Sequence, residues 1–233
     1  MFWNQFSSEK LEELEGIILS TLRTPYTTFH VPVELKSGSE EIWTISLNSE
    51  SKKTPLVLIH GFAAGIGFWC RNLDELSKDR PVYAIDLLGP WLIQRGRSDI
   101  AAKFEDIIED NSVFPNYVYH CNAQNPTGER AAYSMIWGYG WSKNPMLLRI
   151  DKLKKDIPLS LIFGSNTWMD ISIGEKIKDL RPDCSVDIKI IDDTGHHLYS
   201  EKPDVFNDIV VTACHLHDKT SDVNENEIGE NYS

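Results

Sequence analysis

Asp170 and His196 are the residues whose type and order in this chain speak of chemistry. Each follows a short apolar run. Asp170 comes soon after Leu159-Ser160-Leu161-Ile162-Phe163-Gly164, and His196 comes soon after Val186 to Ile191. An acid and then a histidine, each beyond the carboxyl end of a strand, is the chain order of the second and third members of a serine triad built on a strand-to-helix elbow. In that chemistry His196 takes the nucleophile's proton, while Asp170 holds the imidazole tautomer and stabilises the imidazolium. Taken singly, a capping Asp and a loop His look the same. A third stretch belongs with them. Leu56-Val57-Leu58-Ile59 ends in His60-Gly61-Phe62, followed by the small residues Ala63, Ala64 and Gly65. Such a strand end presents the backbone N–H groups of Phe62 and Ala63 at a sheet's carboxyl edge, where ligands bind and where oxyanion donors sit. On that stretch alone a tight turn without chemistry reads equally well.

The missing member is the nucleophile. The strained elbow takes the form Gly-x-Ser-x-Gly, and the chain contains no such pentapeptide. Gly96-Arg97-Ser98-Asp99-Ile100 lacks the second glycine and a preceding strand. Gly164-Ser165 lies on the acid's own strand, and Cys70 and Cys121 lack the elbow context. Cys214-His215-Leu216-His217 offers metal-ligating types, but at i, i+2 on a terminal helix they do not converge, so the stretch reads as a helix end. Nothing in the sequence calls for a cofactor or a metal.

The elements that must position these residues follow from hydrophobic period. Leu11, Leu14, Ile18 and Leu22 form one stripe of a helix, opposite Glu9, Glu12, Glu13 and Glu15. Before it, Phe2, Trp3 and Phe6 read either as packing on the domain or as dipping into a lipid interface. Phe29 to Leu35 and Ile42 to Leu47 alternate around the Ser37-Gly38-Ser39-Glu40 turn, as an antiparallel hairpin does. Leu56 to Ile59 has no polar alternation and is expected to be covered on both faces. A helix over Phe68 to Leu76 and a strand over Val82 to Gly89 then complete a βαβ unit. From Pro90 to about 145 the pattern predicts helical pieces at 100–109, 114–121 and 129–137, rich in Trp and Tyr. They form either a cap over an apolar pocket or an ordinary helical layer. Strand, helix and strand resume at 159–164, 171–180 and 186–191. A terminal helix is predicted from Pro203 to His217, and an acidic disordered tail from 218 to 233.

Composition narrows the class. The 233 residues are 41% hydrophobic and 25% charged, ordinary for one globular α/β domain. A net charge of −12 argues against a nucleic-acid surface. Four cysteines without CxxC spacing read as free thiols of a reducing compartment. The start has no basic, apolar leader pattern, and no apolar run approaches the roughly 20 residues of a membrane span. A cytoplasmic location is the resulting expectation.

Several longer motifs occur in order: Pro55 to Phe62, Arg80 to Gly89, Tyr119-His120-Cys121-Asn122 through Glu129, Gly140-Trp141 through Leu147, and Phe163-Gly164 through Asp170. Together they resemble the α/β-hydrolase domain-containing protein four and five family, from about Trp43 to Phe206. The resemblance implies an α/β-hydrolase-like, mostly parallel sheet with a helical cap. It implies a role in phospholipid and triacylglycerol metabolism. One branch deacylates N-acyl phosphatidylethanolamines and their lyso forms, and the wording at 125–129 and 167–168 leans toward it. The other is a lipid-droplet coactivator of a triacylglycerol lipase, and lysophosphatidate acyltransferase activity has been attributed to the family. The partners implied are a lipid or phospholipid substrate and a lipase or lipid-droplet protein. The surfaces implied are those of the lipid droplet, mitochondrion or endoplasmic reticulum, reached by peripheral contact. The family's acyltransferase motif His-x4-Asp corresponds here to His196 and Glu201, with the longer acid in place of Asp.

One departure is large. In the family, the segment after Asp-Leu-Leu-Gly runs through a helix, the nucleophile-elbow strand, another helix and another strand before the cap. Here Gly89 is followed directly by Pro90-Trp91, so on the order of a hundred residues are absent, including the elbow. The central elbow strand and its neighbour are therefore expected to be missing, and Leu56–Ile59 to end up at an apolar sheet edge. The chain is expected not to hydrolyse esters through a serine. It reads as a shortened family member, with a lipase-regulating binding module and a non-functional truncated product as the alternatives.

Overall fold

The computed structural model describes residues 6–35, 38–61, 64–86, 102–123, 134–138 and 141–230. The chain forms two compact units, residues 1–135 and 136–233.

The first unit opens with helix α1 (Ser8–Leu19), whose Ser7 cap accepts the amide of Lys10. Strands β1 (Tyr26–Leu35) and β2 (Gly38–Leu47) form the expected hairpin, with Tyr26 opposite Leu47. Strand β3 (Leu56–Ile59) follows. Phe68 to Leu76, expected as one helix, is instead a 3-10 turn (Ile66–Trp69) and a short helix α2 (Leu73–Leu76). Strand β4 (Val82–Ile85) pairs parallel with β3 and antiparallel with β2, giving the order β1-β2-β4-β3. The βαβ unit is thus present as expected, and β3 is an edge strand.

Residues 102–110 form turns rather than the expected helix; positions 100 and 101 lie outside the described residues. The reason is packing: Phe104 is 1% exposed. Its ring stacks on Phe114 with centroids 3.9 Å apart. Helix α3 (Val113–Asn122) matches the expected 114–121 piece and packs against α1. Its Phe114 and Tyr117 lie in the core with Phe68, so this part of the Trp- and Tyr-rich stretch is a core layer of the first unit. Two expectations for this unit are corrected. Glu15, placed on the polar face of α1, is 6% exposed. Strand β3 is covered on one face only: Leu58 is buried, while Val57 and Ile59 are 51% and 55% exposed.

The second unit begins with a two-residue hairpin, β5 (Ile136–Trp137) and β6 (Trp141–Ser142), where a helix to Trp137 was expected. Its turn needs Gly138 at φ +55, a left-handed conformation that glycine adopts freely. Of the rest of the expected 129–137 helix, Ser134 and Met135 are helical, and 129–133 lie outside the described residues. Strand β7 (Leu159–Gly164), helix α4 (Ile173–Leu180) and strand β8 (Val186–Ile191) form a second parallel βαβ unit, as the apolar runs predict. The short helix α5 (Leu198–Glu201) leads into α6 (Pro203–Glu230). That last helix continues past His217, where its end was expected, through a stretch expected to be disordered. The architecture is α/β, with the described ladders mixed and both β3–β4 and β7–β8 parallel. Among the described residues, no helix is long and apolar enough to cross a membrane.

Candidate functional site

Asp170 and His196 stand on the two loops that leave the carboxyl ends of β7 and β8. Backbone bonds stitch these loops together: Ser165 N–H donates to the Ile191 carbonyl at 3.0 Å and Asn166 N–H to the Thr194 carbonyl at 2.9 Å. Thr194 Oγ1 turns back on the Ile191 carbonyl at 2.8 Å. Gly164 is what lets the loops meet. A Cβ there would fall onto the carbonyl oxygens of Gly195 and Thr194. The strand-ending glycine of the sequence pattern therefore has a steric cause.

His196 is exposed on this edge, its ring 5.0 Å from that of Trp168 and inclined at 38°. Glu201 lies one turn beyond, and its Oε2 accepts the N–H of Gly195 at 2.6 Å. The acid of the His-x4-acid motif therefore grips the backbone immediately before the histidine, a charge-assisted bond that fixes the loop. Asp170 is also exposed, and its carboxylate serves its own loop. Oδ1 accepts Ser172 N–H at 3.0 Å and Ser172 Oγ–H at 2.6 Å, and Lys176 Nζ lies 3.6 Å from Oδ2. The hydrogen bonds from Ser172 hold the Asp170 carboxyl below the usual carboxylate range. Asp170 and His196 thus share one sheet edge, but Asp170 bonds Ser172 and Lys176 rather than the imidazole.

In the first unit, His60 directly follows β3 and is 7% exposed. Its Nδ1 lies 2.8 Å from the Gly61 carbonyl, and its Nε2 lies 3.5 Å from Oδ1 of Asp86, which follows β4. Burial lowers the His60 pKa, disfavouring the charged ring. Asp86 accepts Ile66 N–H at 2.7 Å, yet burial raises its pKa to about 7. Phe62 and Ala63, the expected oxyanion donors, lie outside the described residues.

Sequence reasoning missed the polar cluster beside His60. Glu15 accepts Trp43 Nε1–H at 2.6 Å and the Tyr117 hydroxyl at 3.3 Å. Tyr117 in turn accepts Gly67 N–H at 2.9 Å. Burial, with the nearby Asp86 charge, lifts Glu15 to about 7. The available signal was slight: Asp86 stands at the end of an apolar strand, whereas Glu15 sits among other glutamates.

No family model matches the chain. The rat protein named 1-acylglycerol-3-phosphate O-acyltransferase ABHD5 is 30% identical, with 91% of this chain and 91% of that protein covered. The mouse (lyso)-N-acylphosphatidylethanolamine lipase is 28% identical, with 89% and 92% covered. The alignment to the rat protein spans 323 positions, exceeding the chain's 233 residues by 90, so at least 90 residues of the relative face a gap. Among solved structures, a bacterial membrane phospholipase A matches with a TM-score of 0.58 at 14% identity, covering 88% of this chain and 90% of that one. The naproxen esterase of Bacillus subtilis matches with a TM-score of 0.57 at 13% identity, covering 90% and 99%. Both likenesses are of fold.

Proposed function

Because the chain belongs to the α/β-hydrolase domain-containing protein four and five family of lipid metabolism, we propose that it engages acyl lipids of the (lyso)phospholipid or lysophosphatidate class without hydrolysing them through a serine. The observation that carries this reading is the absence of Gly-x-Ser-x-Gly from the whole chain. The gap of at least 90 positions against the rat relative supports it. A triad without its nucleophile forms no acyl-enzyme, however well its base is placed.

His196 is the group retained for proton transfer. Held by Glu201 through Gly195 and flanked by Trp168, it can take the proton from a lysophosphatidate hydroxyl as that oxygen attacks an acyl thioester, and return it to the thiolate that leaves when the C–S bond breaks. That step needs a positioned histidine and no protein nucleophile. The alternative, a non-catalytic module that regulates a lipase, is favoured by Asp170, whose carboxylate caps its own loop instead of orienting the histidine.

Three assays on the purified full chain separate these readings. A fluorophosphonate probe is expected to leave the protein unlabelled, and a trapped acyl-serine mimic would overturn the loss of hydrolysis. Acyl transfer from acyl-coenzyme A to lysophosphatidate that is lost in His196→Ala supports the acyltransferase reading. Binding of lysophospholipid with no turnover of either kind supports the module.

A further inference from the structure

The β5–β6 hairpin carries an exposed apolar pair. Trp137 and Trp141 are direct cross-strand partners, so their side chains project from the same face. They are 66% and 81% exposed. The 3-10 turn that follows adds Met146 and Leu148, 57% and 75% exposed. Solvated apolar clusters of this kind mark interaction surfaces.

Charge distinguishes the partner. The whole chain is acidic, at −12. Yet Lys143, Arg149, Lys152, Lys154 and Lys155 are exposed and fall between positions 143 and 155, where Asp151 is the only acid before Asp156. Lys155 is engaged by Asp183 at 3.0 Å. Lys143 Nζ lies 4.9 Å from the centre of the Trp137 ring, which puts a cation at the border of the apolar pair. A lipid bilayer presents that sequence of environments: anionic headgroups over an acyl boundary where Trp rings settle and Lys stems reach back to the phosphates.

We propose that residues 136–138 and 141–155 dock the protein on an anionic phospholipid surface, with Trp137 and Trp141 entering the headgroup–acyl boundary and Lys143 and Arg149 meeting the headgroups. This goes beyond the reading of the His196 site and does not depend on it. The surface lies on a hairpin that contains neither Asp170 nor His196.

The test is co-sedimentation of the full chain with phosphatidylcholine vesicles, with and without phosphatidylserine, which is neither substrate of the proposed chemistry. The wild type is expected to bind the phosphatidylserine vesicles more tightly, and to lose that preference in high salt. Trp137→Ala/Trp141→Ala is expected to weaken binding about tenfold. Trp137→Phe/Trp141→Phe restores most of it. Lys143→Glu/Arg149→Glu removes the phosphatidylserine preference, about fivefold for each charge lost, with far-UV circular dichroism unchanged. Equal wild-type binding to the two vesicle types, or no binding, overturns the proposal. So does wild-type binding by both exposed-residue variants, whether the anchor is then a segment near Phe6 or the pair serves a protein partner. The readout involves no turnover, so its failure leaves the acyl-transfer reading standing, and the converse holds.

Discussion

The hydroxyl of Tyr117 accepts the backbone N–H of Gly67 at 2.9 Å while reaching Glu15 at 3.3 Å, so one phenol closes a buried bridge between α3, α1 and the turn after β3. A Cβ at Gly67 would meet the Tyr117 ring at 2.8 Å, so the contact leaves no room for a side chain there. Removing the oxygen strands a buried donor. Tyr117→Phe is therefore expected to lower stability by about 1–3 kcal/mol. Urea unfolding of the two proteins checks this, and equal midpoints would count against the bridge.

Glu15 makes stability depend on pH in a stated direction. Its carboxyl is raised from 4.5 to about 7 in the folded protein, so the folded state holds the proton more tightly than the unfolded one. The stabilisation is complete below pH 4.5 and is lost as pH rises through about 7. Glu15→Gln stays neutral throughout. The stability of wild type relative to Glu15→Gln should fall by about 1–3 kcal/mol across that window. Thermal melts of the pair at several pH values read this difference, and a flat difference would refute it.

Glu201 holds the loop in front of His196 by the Gly195 amide. Glu201→Ala is expected to speed hydrogen exchange at Gly195 and to cost about 1–3 kcal/mol of local stability. Glu201→Asp, with the shorter arm, should lie between the two. Amide exchange resolved at Gly195 distinguishes this gripping role from a merely solvated acid, for which neither substitution would alter protection.

Val57 and Ile59 project from the uncovered face of an edge strand. Edge strands with apolar side chains recruit further chains. Ile59→Lys is expected to reduce self-association in light scattering at high protein concentration, while changing stability by no more than about 0.5 kcal/mol. Association as strong as in wild type would show that this face does not mediate it.

The sequence made both βαβ units legible because a short apolar run bounded by turn residues leaves few alternatives, as at Leu56–Ile59 and Leu159–Gly164. The loops carrying Asp170 and His196 followed, since each begins where such a run ends. What could not be read depends on contacts between distant residues. Glu15 resembles its neighbours on α1 until Trp43 and Tyr117 supply its hydrogen bonds. The turns at 102–110 replace a helix because Phe104 stacks on Phe114. Trp137 became a strand residue by pairing with Trp141 across a glycine turn, which helical period in a single segment cannot reveal. The bonds of Asp170 to Ser172 belong to the same class: spacing places a carboxylate on an edge and does not say which donor it will choose.

Arg181 is 3% exposed, and its guanidinium donates to the carbonyls of Ile150, Leu153, Lys154 and Ile157 at 2.8 to 3.2 Å. Four carbonyls of one short stretch thus converge on one planar fork. An ammonium carries three donors on a single point and cannot span them. The everyday exchange of arginine for lysine is therefore closed at this position, and across related chains of this fold the genetic drift between the two basic residues should halt here while it runs freely at Lys152 and Lys154.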